Sequence, residues 1–274
     1  MNKFKYFIVK NKMIIIIALI ILVCAIAIAF GVYAQITNRN VISSKNEEQQ
    51  DADYTELEDN FDEIFTSTIN KEATAKHDIN YDEIIYCAYN IESVEGNYNI
   101  NAKIPLFKIE NEITNQVNKE IYDTFAKTII DIVQNSTAYT TLNLDYAGYV
   151  NNNVLSLVIR CTYKSGSNPQ RKIIQTYNYD LVNNKLIDIN EILAYKNLEK
   201  EKVETKILNK IKEEKEEDKV YAEQGYNAFI RNENDSMYKI ENTPNFFLGK
   251  NNHLYLVYAY GNNNHTSEID LVIF

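Results

Sequence analysis

Tryptophan is absent from the 274 residues, and only 3 Pro, 7 Gly, 3 Cys and 3 His occur. So few prolines and glycines exclude a collagen-like or proline-rich chain. The histidines, His77, His253 and His265, stand far apart in no ligand-spaced motif. A metal site needs several converging His, Cys or carboxylate ligands, so none is expected. No phosphate-binding loop, dinucleotide fingerprint, nucleophile elbow or zinc-protease helix is present. A Ser-His-Asp set assembles from distant residues, so sequence order does not exclude one, but nothing selects a particular serine. Acids are spread too widely to single out a glycosidase pair. The missing tryptophan removes one stacking platform for sugars, which tyrosine can also supply. No catalytic, cofactor-binding or metal residue is assigned, no cofactor is expected, and the chain reads as a non-enzyme.

Basic charge is the minority: Lys and Arg total 28 against 38 Asp and Glu, for a net charge of −10. Four of the lysines (Lys3, Lys5, Lys10, Lys12) sit in the first 12 residues, leaving about −14 on the remainder. An acidic surface excludes nucleic acid, whose phosphates require basic contacts. Solubility is the simplest use of such charge, and attraction of a basic partner is the next. Tyrosine is abundant at 21 residues and Lys far outnumbers Arg. Coding from an AT-rich genome explains both, so an isolated Tyr or Asn is a poor marker of function.

One long uncharged run exists, Met13–Ala34. At about 1.5 Å per helical residue it spans roughly 33 Å, enough to cross a bilayer. The lysines before it place residues 1–12 in the cytoplasm and the rest outside the cell membrane. Val32-Tyr33-Ala34 has the small-x-small character of a signal-peptidase site, so Val32 and Ala34 mark a candidate cleavage point. The run exceeds a signal-peptide core, which favours an uncleaved anchor. Cys24 follows Ile21-Leu22-Val23, only loosely a lipid-attachment box.

Residues 35–80 are acidic and poor in apolar side chains, and read as a solvated linker that buries too little surface to offset ordering. A short helix over Tyr54–Ile69 is the alternative there. Residues 81–274 carry regular patterning. Ile85, Cys87, Tyr89 and Ile91 alternate, as do Tyr98, Ile100, Ala102 and Ile104, around a Glu95-Gly96-Asn97 turn, which predicts a hairpin closed by Pro105. Ile109, Ile113, Val117, Ile121, Phe125 and Ile129 recur every four residues, a long amphipathic helix to about Val133. Three strands follow as an antiparallel meander: Leu142–Tyr146, Leu155–Tyr163 and Ile173–Val182. Asp188 or Asn190 caps a short helix. A second long helix covers Leu198 to about Glu217, with Lys212–Asp218 as its solvated end, and Tyr221–Ile230 adds a turn or two. Phe246 and Phe247, Leu254–Tyr260 and Ile269–Ile273 close the sheet, with Phe274 tied in. The expected fold is α+β: an antiparallel sheet packed on one face by two long helices, preceded by a single N-terminal transmembrane helix. Cys87 and Cys161 lie in strands. They can pair as a disulfide in an oxidising exterior, or equally be two buried free thiols.

Certain pieces resemble a known family: Ile104-Pro105, the Ile109–Val133 helix, Leu155-Ser156-Leu157, Ser165-Gly166-Ser167-Asn168, Tyr177-Asn178-Tyr179-Asp180-Leu181, Leu186-Ile187-Asp188-Ile189 and Tyr258-Ala259-Tyr260-Gly261. Their order is similar to that in the extracytoplasmic (RsiV-like) domain of the anti-sigma-V factor. That domain also occurs beside the catalytic domain of some peptidoglycan deacetylases. The resemblance spans residues 82–274. It implies a sensing or binding domain at the cell wall with a protein ligand such as lysozyme. Asn168 stands where the family loop usually has a His, which puts that residue's role in doubt. The 12 residues before the anchor are too few for the family's sigma-binding segment. In those relatives ligand binding exposes the chain to signal peptidase, so the Val32–Ala34 site is expected to release the outer domain if it serves likewise. The organisation expected is a 1–12 cytoplasmic tail, a 13–34 transmembrane anchor, a 35–80 acidic linker and an 81–274 extracytoplasmic domain. The function expected is a membrane-anchored binding module. The alternatives are an assembly partner of other envelope proteins or a cell-wall-modifying enzyme.

Overall fold

The computed structural model describes residues 54–75, 80 and 84–274. The Met13–Ala34 run, with Cys24, Val32 and Ala34, lies outside the described residues, as does His77. The chain divides into two compact units, Met1–Leu57 and Glu58–Phe274. In the first, the described residues 54–57 are helical. No described helix is both long and apolar enough to cross a membrane.

The second unit is a mixed α+β fold built on two sheets. The larger has seven strands. These are β1 (Thr68–Lys71), β2 (Ile85–Glu95), β3 (Tyr98–Phe107), β4 (Thr140–Asn151), β5 (Val154–Ser165), β6 (Arg171–Asp180) and β7 (Lys185–Leu186). They run in the order β2-β3-β4-β5-β6-β7, with β1 also paired to β4. The β2–β3 hairpin and the β4–β5–β6 meander form as their alternation dictates. The sheet is mixed, however, and not antiparallel throughout. The helix after β3 is a crossover, so β4 returns parallel to β3, Tyr98 opposite Thr140. Strand β1 is also parallel to β4 and lies in the stretch expected to be a solvated linker. It is held there because Arg160 on β5 and Lys172 on β6 both bind Asp62, just upstream of it, at 3.1 and 2.9 Å. Phe61, 4% exposed, packs on the ring of Phe247. A few large side chains in a polar stretch are enough to dock it once such partners exist.

One helix pair covers the first face of this sheet. α1 (Glu112–Ile121) starts at Asn111 in a capping box with Thr114. A π-helical turn, Tyr122–Ala126, joins it to α2 (Lys127–Asn135). The four-residue spacing of the apolar stripe overshoots the 3.6-residue period, so the stripe slips about 40° per step. The wider π turn takes up that slip and keeps Val117, Ile121, Phe125 and Ile129 buried against β3, β4 and β5.

The second long helix does not join the first on that face. α3 (Ile189–Lys196) begins at Asp188, which forms a capping box with Glu191. α4 (Lys200–Glu223) buries Val203, Ile207 and Ile211 against a separate three-stranded sheet. That sheet has the order β10-β9-β8, with β8 at Asn245–Leu248, β9 at Leu254–Ala259 and β10 at Ile269–Ile273. Its other face meets the larger sheet, giving helix, sheet, sheet, helix in succession. This explains why every residue of β9 is buried although its sequence alternates. Side chains join the two sheets. Ser156 Oγ accepts from Leu248 N at 3.0 Å, and Asn178 Nδ2 donates to Phe246 O at 2.7 Å. Tyr149, Phe247 and Tyr255 stack between the sheets with centroids 6.0 and 4.6 Å apart. Phe274 is tied in as expected, exchanging two hydrogen bonds with Leu254.

Two asparagines stand in for absent strand neighbours. Asn118 on α1 accepts from Phe107 N at 2.7 Å and donates to Phe107 O at 2.8 Å, where β4 no longer flanks β3. Asn262 does the same for Ile174 on β6, at 3.0 and 2.9 Å. Gly261 makes that approach possible, since a Cβ there would lie 2.2 Å from Lys172 O. The β6 edge is therefore covered, whereas β2 pairs only with β3 among the described residues.

Pro105 lies within β3, not at its close, opposite Cys87 and beside a bulge between Cys87 and Tyr89. The bulge accommodates a residue with no ladder N–H. It also shifts the phase of β2, so Cys87 is exposed where Ile85 is buried, while Tyr89 lies opposite buried Ile104 with its ring 6.4 Å from that of Tyr122. The structure therefore excludes a Cys87–Cys161 disulfide, and both thiols are free. Three strand spacings, on the order of 14 Å, separate β2 from β5, twice the reach of a bridge. Nor are both thiols buried: Cys87 is exposed, while Cys161 is buried and its thiol is pushed up to about 12 by loss of solvent. A thiol reagent at neutral pH is expected to modify Cys87 in the native protein and Cys161 only after denaturation, as read by peptide mapping. Protection of both without reductant would restore the disulfide.

Candidate functional site

The end of α4 sets the site. Gly225 takes φ +87 and closes the helix: its N–H reaches Ala222 O at 3.0 Å, and Tyr226 N–H reaches Tyr221 O at 3.1 Å. This pair of bonds brings the third-last helical residue beside the second residue past the cap. Those two are Tyr221 and Tyr226, whose rings meet edge to face at 6.3 Å. Contact of this kind is ordinary at helix ends, yet the two remain 52% and 66% exposed. They stand at the rim of a cleft of about 390 Å3. Its wall carries Glu214, Glu217, Asp218 and Glu268.

The floor is Arg231, 4% exposed. It is clamped by Asp270, with Nη2 to Oδ1 at 2.6 Å and Nε to Oδ2 at 2.9 Å, and by Asp218, with Nη1 to Oδ1 at 2.6 Å. Tyr260 donates to the other side of Asp270 at 2.6 Å, and Tyr238 bonds Tyr260 at 2.5 Å. Burial alone would lower the guanidinium pKa, but the hydrogen bonds and charges of Asp270 and Asp218 outweigh it and hold it above its ordinary value. Burial, followed by the Asp270 charge and hydrogen bond, raises the Tyr260 hydroxyl. This network ties the irregular 226–242 segment to α4 and β10 in a water-poor setting. Arg231 also lies 3.6 Å from Glu268 and 4.0 Å from Glu214, so four acids face one guanidinium, while Glu217 and Glu268 at the rim stay exposed. The site therefore presents surplus negative charge beside two tyrosine faces. Such a surface suits a cationic group.

Sequence reasoning missed this cleft. The Lys212–Asp218 run reads as a solvated helix end, yet α4 continues to Glu223 and Asp218 is 6% exposed. The legible sign was Tyr221 and Tyr226 flanking Gly225 at helix-end spacing. Arg231 and Asp270, 39 residues apart, carried no local sign. Neither Cys87, Cys161, His253 nor His265 lines the cleft. Val32 and Ala34 fall outside the described residues. Among the described residues no cluster of His, Cys and acids could hold a metal.

No family model matches the chain, and no curated protein does. Solved structures overlap part of it. A DUF3298 family protein from Pseudomonas aeruginosa PAO1 is 11% identical, over 64% of this chain and 79% of that one, with a TM-score of 0.37. A member of the same family from Bacteroides fragilis NCTC 9343 is 12% identical, over 64% and 81%, with a TM-score of 0.34. Likeness at that level carries no conclusion about what this chain does.

Proposed function

We propose that the chain is a membrane-tethered binding module facing outward, which captures a basic protein through the acidic tyrosine cleft. The cleft beside Tyr221 and Tyr226 is the observation that carries this reading. The apolar Met13–Ala34 run, the basic tail and the net charge of −10 support it. So does the resemblance to the anti-sigma-V extracytoplasmic domain, which implies a ligand such as lysozyme. A lysine or arginine of the ligand enters over the tyrosine faces, a cation–π contact. Glu217 pairs with its charge, and the acidic surface speeds encounter. Calorimetric titration of the full-length protein in detergent with lysozyme is expected to show binding at low salt that weakens as salt screens the charges. Tyr226→Ala together with Glu217→Gln weakens it about tenfold or more. A silent titration at low salt removes lysozyme as the ligand; binding indifferent to both substitutions removes the cleft.

The open β2 edge, with Tyr86, Tyr89 and Val94 at 46%, 40% and 70% exposure, favours a second reading. There the module adds a strand from another envelope protein. Crosslinking in intact cells that recovers no protein through β2 defeats it.

A further inference from the structure

The face of β3 to β6 that meets the small sheet also carries, beyond it, a cleft of about 530 Å3, separate in its lining from the acidic one. Its floor is set by strand register. Asn101 lies opposite Asn143, Asn143 opposite Thr162, and Thr162 opposite Lys172, so four polar side chains cross four strands in one row. At the usual strand spacing the row runs about 14 Å. Two residues along β3, on the same side, stands Lys103.

The charges in this cleft are of two kinds. Arg160 gives Asp145 two hydrogen bonds, at 3.1 and 2.8 Å, and a third at 3.1 Å goes to Asp62. Lys172 holds Asp62 at 2.9 Å. Those four groups neutralise one another and fasten the 61–67 segment over the sheet. Lys103, by contrast, is half-buried and has no ion pair or hydrogen bond from its ammonium among the described residues. The side chains of Asn101, Asn143 and Thr162 are likewise unbonded among them. The one apolar ring nearby, Phe65, is covered by the Arg160 guanidinium 4.2 Å from its centroid, so it offers no stacking face. The cleft is thus locally cationic on an acidic protein, with amides and a hydroxyl left to donate and accept.

We infer that this cleft binds a small polar carboxylate, its acid group at Lys103 and its hydrogen-bonding groups along the Asn101–Asn143–Thr162 row. An ammonium and carboxylate in a half-buried site form a charge-assisted hydrogen bond, stronger than a neutral one. Amides suit the remaining groups because each both donates and accepts. Neither nearby acid competes: Arg160 already takes both oxygens of Asp145, and Glu92, opposite Asn101 on β2, is exposed and outside the cleft lining.

Sugar acids and peptide ends both present this chemistry. Ligand-observed NMR on the full-length protein in detergent separates them, with N-acetylmuramic acid, N-acetylglucosamine and N-acetyl-alanyl-alanine as probes. At least one acid is expected to bind, and neutral N-acetylglucosamine at least about tenfold more weakly than the sugar acid if that is the one bound. Lys103→Met is expected to weaken the bound acid about tenfold, and Asn143→Leu to weaken it with Lys103 intact. Lys103 has no ion-pair or hydrogen-bond partner to orphan among the described residues, so an unchanged thermal midpoint verifies that its variant is folded. Binding of one acid only assigns the source, glycan or peptide. Silence from both acids, or equal affinity in Lys103→Met, overturns the inference.

Discussion

Replacing Arg231 with methionine is expected to cost about 3–5 kcal/mol of folding stability, the loss typical when a buried ion pair is broken on one side. Its side chain is 4% exposed, and those of Asp218 and Asp270 are 9% and 1% exposed. Methionine fills much of the volume but leaves two carboxylates facing each other in a desolvated place. Among the described residues Tyr260 alone remains to hydrogen-bond Asp270. For a unit of this size the drop is on the order of 10 °C in unfolding temperature. Lys210→Met is the comparison. Lys210 pairs with Glu58 at 2.8 Å, but the two side chains are 25% and 28% exposed, and such a pair is worth about 1 kcal/mol or less. Urea unfolding of the two variants ranks them. Equal losses would mean that the Arg231 network is wet.

Alkaline unfolding is the second large effect. Burial, ahead of nearby charge, pushes the hydroxyls of Tyr149 and Tyr238 up to about 12 from an ordinary 10. Tyr177, Tyr258 and Tyr260 are raised further, burial again being the main cause. The sign follows from proton counting. Above pH 10 the unfolded chain loses these protons and the folded one keeps them, so the unfolded form binds fewer and stability falls as pH rises. Stability due to Tyr149 and Tyr238 is complete below pH 10 and lost toward pH 12, and that due to the other three is lost over a wider alkaline range. At about 1.4 kcal/mol per unit, Tyr149 and Tyr238 together account for roughly 5 kcal/mol across that window. That is a large part of the 5–15 kcal/mol typical of a domain. Tyrosinate absorbance is expected to jump at the pH where circular dichroism collapses. Tyr149→Phe keeps a ring to stack on Phe247 and moves the collapse to higher pH. Smooth ionisation of all tyrosines with the dichroism unchanged would refute their burial.

Local patterns in the sequence announced most elements. The 3.6-residue and two-residue periods place α1, α2, α4 and strands β2 to β6, and Asp188 marks its own helix start. What stayed hidden was relational. Nothing local distinguishes an antiparallel return of β4 from a parallel one. Nothing in β8 to β10 says that they form their own sheet, and so the pattern assigns the two long helices to one face that they do not share. The bulge opposite Pro105 inverts the phase of β2, so the Cys87 alternation pointed to the wrong side. The candidate cleft was half legible: helix-end spacing joins Tyr221 to Tyr226, but the Arg231 floor depends on residues from three separate segments.

Asn262 and the open β2 strand together determine what the large sheet can become. Along β6 one margin is covered by the Asn262 amide and then by the two-residue β7, and among the described residues β2 at the other margin pairs with β3 alone. In polymer terms the large sheet is close to monofunctional: among the described residues it has one long reactive end, β7 being only two residues. A contact made strand to strand through β2 consumes that end in both molecules and terminates as a pair, where a sheet with two free margins would propagate into a fibre. A loop of a few residues around Gly261 thus acts as a chain stopper, a safeguard for a protein with 21 tyrosines.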